Sequence, residues 1–330
     1  MRTARLGSLE VSVIGLGCNN FGRALDQLGA SAVVDQALDS GITVFDTSDN
    51  YGDGKSESLL GAALGQRRTE VVIATKFGMP VPGIPGSGGG APGYIRRAVE
   101  RSLDQLGTDY IDLYQLHRPD PDVPIGDTMG AMSALVAEGK VREVGCSNMD
   151  ADQLSESART ARSLGLRQFL ANQIHYSLLH RAPEDDGSIE VGERESVALL
   201  PYYPLASGML TGKARLGRPI EGRLQMERYQ GFLTDSNFEV VEALRGFALQ
   251  RGITMVQVAL GWLLAQPTVP FVTAGATGPD QVSANVEGAD WSPSTDDLAE
   301  LDRITTRPPG FGAEDRPQGS RTPRQNRFPN

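Results

Sequence analysis

The sequence predicts an α/β fold, a closed (β/α)8 TIM barrel with an N-terminal β-hairpin and a long C-terminal loop. Three observations lead there. Eight short apolar runs rich in β-branched residues recur along the chain, helical spacing fills most intervals between them, and no Ser/Pro-rich or charged linker splits the 330 residues into two patterns. Strands that alternate with helices pair in parallel, because a crossover connection is needed. An open doubly wound sheet has the same order, but eight strands in one unit favour the barrel. Residue placement separates the two. A barrel gathers Asp46, Lys76, His117, Ser147, Gln173 and Tyr202 at one mouth, whereas an open sheet sets Asp46 and Gln173 on opposite margins.

Residues 3 to 12 read as a hairpin with Gly7-Ser8 at its turn. The first barrel strand follows at Val13–Gly17, then a helix over Ser31–Leu38 closed by Ser40-Gly41, and a second strand at Thr43–Asp46. A helix over Ser56–Leu64 ends at Gly65, and Val71–Lys76 is the third strand. The Gly- and Pro-dense stretch from Gly78 to Pro92 cannot hold a regular element and reads as an exposed loop. Helix Gly93–Leu106, strand Tyr110–His117, helix Met129–Glu138, strand Val141–Ser147, helix Ala151–Leu164 and strand Gln168–Gln173 follow. A charged helical segment around Glu190–Glu195 precedes strand Val197–Tyr203. Helices Asn237–Gln250 and Val256–Leu264 lead to the eighth strand, Thr268–Thr273. One domain spans residues 1–330, and its Pro-, Gly- and Arg-rich tail, 306–330, is expected to be partly disordered or folded over the barrel mouth on Phe311 or Phe328.

A formal charge of -10 opposes binding to nucleic acid, while a small anionic cofactor remains compatible. Cys18 and Cys146 are the only cysteines and lack CxxC spacing, so no disulfide or zinc framework is expected. No signal-like segment and no run of about 18 apolar residues is present. The expectation is a cytoplasmic protein with no membrane partner and no metal.

Lys76 stands out among only four lysines because it alone ends a buried strand. A buried ammonium needs a counter-charge, and Asp46 at a neighbouring strand end is the natural partner. Tyr51 would then lie beside a cation, which lowers a phenol's pKa and makes it a usable proton donor. His117 could hydrogen-bond the same substrate oxygen or share the proton. A Schiff-base role for Lys76 is an alternative, weakened by the charge that Asp46 would impose. The chain lacks a P-loop, an H-E-x-x-H, a G-x-S-x-G and a correctly spaced dinucleotide fingerprint.

The segments Phe45-Asp46-Thr47-Ser48-Asp49-Asn50-Tyr51-Gly52 with Ser56-Glu57, Asp109 to His117, Gly139 to Asn148, and Pro204 to Lys213 resemble signatures of the aldo-keto reductases over nearly the whole chain. The resemblance implies a barrel that binds NADP(H), with a catalytic tetrad on Asp46, Tyr51, Lys76 and His117, reducing an aldehyde or ketone. It also implies cofactor contacts from Gly17, Cys18 and Asp46. Ser147, Asn148 and Gln173 would hold the nicotinamide amide, and Tyr202 would stack on its ring. Tyr203, Pro204, Leu205, Ser207 and Lys213 would line the pyrophosphate, and Gly275, Thr277, Gln281 and Asn285 the adenosine end. Positions 275 to 277 read Gly-Ala-Thr, without the Lys or Arg that some members direct to the 2′-phosphate, so NAD(H) is not excluded. Arg223 resembles an arginine that meets this phosphate in some members. A non-catalytic, cofactor-sensing subunit is the competing class. Asn19, Asn20, Phe21, the 77–93 loop and Arg118 are expected to line the substrate pocket.

Overall fold

The structure, a computed structural model, describes residues 1–220 and 222–305, so the tail with Phe311 and Phe328 lies outside the described residues. The chain opens with the antiparallel hairpin β1 (Thr3–Leu6) and β2 (Leu9–Ser12). Gly7 turns it at a φ of 58°, a conformation that suits glycine. Eight strands then run parallel: β3 (Ile14–Gly17), β4 (Val44–Asp46), β5 (Val72–Phe77), β6 (Ile111–Leu116), β7 (Val141–Ser147), β8 (Ala171–His175), β9 (Ala198–Tyr202) and β10 (Val272–Gly275). Their ladder order is β10-β3-β4-β5-β6-β7-β8-β9. At the seam, the Leu199 N–H donates to the Thr268 carbonyl, 2.8 Å away.

Which face of each strand turns inward follows from the two-residue period. Val44, Ala74, Leu113, Ala171, Leu200 and Phe271 form an apolar layer packed with Leu6, Leu9 and Val11 of the hairpin. The hairpin thus closes one end of the barrel with hydrocarbon. Each such leucine contributes on the order of 1.5–3 kcal/mol through burial. Two residues further along the strands, the inner layer becomes polar with Asp46, Lys76, Gln115 and Gln173, all buried. The Gln173 amide nitrogen lies 2.9 Å from Asp46 Oδ2 although β4 and β8 stand four places apart in the ladder. That contact across the interior requires a rolled sheet and excludes the open one.

The helices Ser56–Leu64 and Ala151–Leu164 and the strand Val141–Ser147 begin and end where the sequence places them. Other boundaries move for local reasons. The first helix starts earlier, at Gln27, because the Asp26 side chain accepts from the Gly29 N–H and caps it. The helix expected from Met129 begins at Ile125, just behind Pro124, and the loop helix begins at Pro92, where a missing N–H costs nothing. The last strand starts only at Val272, since Pro270 interrupts the apolar run before it. Strand six is displaced to 171–175, which carries it past Gln173 to His175. Two helices without an expected counterpart, Pro279–Glu287 and Thr295–Thr305, complete the described chain. Among the described residues no single helix is long and apolar enough to cross a membrane.

Candidate active site

The four residues at and just past β4, β5 and β6 come together at the polar end of the barrel. Lys76 is fully buried and its Nζ donates to Asp46 Oδ1 at 2.7 Å, Asp46 Oδ2 at 2.9 Å and the Thr47 carbonyl at 2.8 Å. The Tyr51 ring centroid is 5.0 Å from Nζ and 5.7 Å from the His117 ring, which it meets edge-on. His117 lies one residue beyond β6, its backbone N–H held by the Phe77 carbonyl at 2.8 Å.

The turn carrying Tyr51 is rigid for a steric reason. Gly52 has a φ of 58°, and a Cβ there would fall 2.1 Å from the Phe21 carbonyl oxygen. Any side chain at 52 would push the turn away from the 18–25 segment. Thr47 and Ser56 hydroxyls, 2.8 Å apart, tie its other side.

Burial disfavours the Lys76 charge, yet Asp46 and Tyr51 more than offset this and its pKa ends above that of a free lysine. Tyr51 goes the opposite way from the sequence expectation. Burial pushes the phenol up more than Lys76 pulls it down, so its pKa lies above the ordinary value. The phenol therefore keeps its proton at neutral pH. His117 is pushed well below the usual histidine range by burial, then by Lys76 and Arg118, and is neutral.

The residues expected to meet a cofactor fall into three groups. At the ends of β7 and β8, Ser147 Oγ donates to the Gln173 carbonyl at 2.9 Å, Asn148 Nδ2 donates to the His117 carbonyl at 3.0 Å, and Tyr202 donates to Asn148 Oδ1 at 2.8 Å. After β9, Tyr203, Ala206, Ser207 and Gly208 all hold positive φ around Pro204 and Leu205. Such a run of costly conformations marks a segment fixed by its surroundings. Lys213 is exposed further along. Around β10, Gly275 pairs with Gly17, next to Cys18, whose N–H donates to the Asp46 carbonyl. Gln281 Oε1 accepts from the Thr277 N–H at 2.9 Å, and Asn285 Nδ2 reaches the Gly275 carbonyl at 3.4 Å.

These groups fit a long polar cofactor on one observation. Asn19 Oδ1, Ser207 Oγ and Thr273 Oγ1 are buried without a protein partner, near the ends of β3, β9 and β10. Gly17 adds shape, since a Cβ there would meet Thr273 Cγ2 at 3.2 Å.

Arg223 packs among aromatic side chains. Its Nε donates to the Tyr229 hydroxyl at 2.9 Å, its guanidinium lies over Tyr229 and Tyr203, and it lowers the Tyr51 phenol. These contacts lie on the Tyr51 side of the barrel mouth and involve no residue of the 275–285 segment.

Three features escaped the sequence reading. Ser48 Oγ lies 3.1 Å from His117 Nδ1. His180, His175 and Tyr202 form a column of near-parallel rings, with centroids 3.8 and 5.4 Å apart. Behind the Tyr51 turn, buried Asp49 and Glu57 share a single nearby guanidinium, Arg101, which donates to Asp49 at 2.7 Å. Buried acids just after a strand end were the available signal for the last of these. The histidine column depends on the continuation of β8 beyond Gln173.

A parallel barrel with one apolar end and a buried acid–base cluster at the other has the architecture of a barrel enzyme. A profile of the Aldo/keto reductase family matches residues 13–306, and the chain belongs to that family. It is 32% identical over 310 residues to the L-glyceraldehyde 3-phosphate reductase of Escherichia coli (strain K12), covering 89% of each chain. It is 33% identical over 311 residues to probable aldo-keto reductase 1 of Glycine max, covering 91% of this chain and 88% of the relative. It is also 32% identical over 305 residues to a probable voltage-gated potassium channel subunit beta of Arabidopsis thaliana, covering 90% and 92%.

Proposed function

We propose that the protein is an NADPH-dependent reductase of aldehydes or ketones, with Asp46, Tyr51, Lys76 and His117 as its catalytic set. The observation that carries this reading is the enclosed ammonium of Lys76, fixed by Asp46 and set against the face of Tyr51. The bound cofactor supplies the hydride that reduces the carbonyl carbon. Tyr51 holds the proton that the carbonyl oxygen takes up. Lys76 lies where it stabilises the phenolate left behind, and Asp46 keeps Lys76 charged and in place. A lysine so held is a poor amine nucleophile, which disfavours the Schiff-base alternative. Ser147, Asn148, Gln173 and Tyr202 would orient the nicotinamide end. The 203–208 segment would take the pyrophosphate, and Gly275, Thr277, Gln281 and Asn285 the adenosine end.

The similarity to a channel beta subunit supports a second reading, a cofactor-sensing subunit that turns over slowly. The filled catalytic set favours the first. Mixing the protein with NADPH and a panel of aldehydes, ketones and oxidised sugars, and following loss of reduced-nicotinamide absorbance, tests it. Tight cofactor binding without turnover on any member of the panel would favour the sensor.

A further inference from the structure

His175 follows Ala171 and Gln173 on the inner face of β8, so it stands at the barrel mouth, one layer beyond Gln173. Its ring is the middle of a column. The His180 ring lies 3.8 Å away at 5° and the Tyr202 ring 5.4 Å away at 12°. Tyr203 and Phe232 meet the same imidazole edge-on, at 5.6 and 5.9 Å. His175 Nε2 is buried without a protein partner, so ring contacts hold the imidazole where a hydrogen bond through that atom does not. The outer end of the column is anchored. Ser177 and His180 exchange backbone hydrogen bonds of 3.1 and 2.9 Å, and Arg181 pairs with Glu184 and Asp302 and lies over Trp262. At the inner end, the Tyr202 hydroxyl donates to Asn148 Oδ1 at 2.8 Å. A tyrosine pinned at its hydroxyl can still turn about its long axis. The imidazole against its face stops that turn.

The geometry points to His175 as a positioning residue that fixes the plane of Tyr202 and thereby biases the cofactor site toward oxidised nicotinamide. The inference rests on the proposed reading in which Tyr202 orients the nicotinamide end. His175 covers one face of Tyr202, so a ring that stacks on the tyrosine takes the other. An aromatic face carries negative potential and an aromatic edge positive potential. The oxidised nicotinamide ring is a cation and the reduced ring is neutral, so a face-on Tyr202 favours the oxidised form and a turned Tyr202 loses that preference. Burial, and then His180, push His175 well below the usual histidine range. It is neutral and sets no positive charge behind Tyr202 to cancel the attraction.

Binding tests this without any turnover. Titration calorimetry compares NADP⁺, NADPH and 2′,5′-ADP, which lacks the nicotinamide, on the full-length wild type, His175→Ala and His175→Phe. In His175→Ala the Kd for NADP⁺ should rise about tenfold and that for NADPH about twofold, the scale of a cation–π contact, with 2′,5′-ADP unchanged. His175→Phe keeps a flat ring in the column and has no nitrogen. It should return both values to within about twofold of the wild type. His180→Ala, at the half-buried end of the column, should weaken NADP⁺ in the same direction by about threefold, and it reads the column even where a substitution at 175 prevents folding. Equal losses for NADP⁺ and NADPH would overturn the bias. A His175→Phe variant as weak as His175→Ala would assign the effect to the imidazole nitrogen and overturn the stacking role. The expected affinities in a protein that reduces no carbonyl would uphold His175 and refute the reductase reading, whereas a wild type that binds neither nucleotide would refute the cofactor reading and the bias together.

Discussion

The Gln173 amide nitrogen donates to Asp46 Oδ2 at 2.9 Å across the full width of the barrel. Together with the Lys76 ammonium on both carboxylate oxygens, it fixes Asp46 from two sides of the sheet. A charge pair so far from water is stable only while both partners are present.

Asp46→Asn should therefore destabilise the protein by about 3–5 kcal/mol, because it strands a buried ammonium. Adding Lys76→Met removes the stranded charge. The double variant should be more stable than Asp46→Asn alone, as read from urea midpoints. Independent, additive losses would show that the pair is not coupled.

Tyr51→Phe keeps the ring against Lys76 and His117 and removes the proton. Turnover should fall by about 10²–10⁴, while NADPH affinity from fluorescence titration stays within about twofold. Wild-type-like turnover would remove Tyr51 from the chemistry.

Asp49 offers a test in stability. Burial and then Glu57 push its carboxyl up to about 7, against the pull of Arg101, Tyr94 and Ser48. A raised acid favours the folded state while protonated. Its contribution is present at and below the unfolded value near ~4 and is lost as pH climbs through about 7. Relative to Asp49→Asn, the wild type should lose roughly 1–3 kcal/mol between pH ~5 and pH ~8. Urea melts of both proteins at the two pH values decide it. A constant difference would mean that Asp49 is ionised throughout.

Arg223 stacks on Tyr203 and Tyr229 and lowers the Tyr51 phenol. Arg223→Ala should move the alkaline limb of the kcat/KM profile for carbonyl reduction to higher pH, with the NADPH-to-NADH preference unchanged. A collapse of that preference would instead assign the guanidinium to the 2′-phosphate.

Much of this site was legible in the chain because its signals are local. Lys76 ends a β-branched run, Asp46 ends another, and Gly52 follows Tyr51 where only a glycine fits. The hairpin turn and the capped helices follow equally from neighbours in sequence. The last strand was misplaced because its apolar run continues backward through Pro270, where the missing N–H delays the ladder.

By itself the sequence determined the parallel β/α order, the polar strand ends and the counter-charge that Lys76 requires. Tertiary structure decided what depends on distance through space. Rolling the sheet put Gln173 on Asp46, burial outweighed Lys76 at the Tyr51 phenol, and packing set Arg223 on the tyrosines of the mouth. The same packing brought Ser48 to His117 across 69 residues of chain. Desolvation and hydrogen-bond direction arise from all the groups that surround an atom, and those groups come from several strands at once.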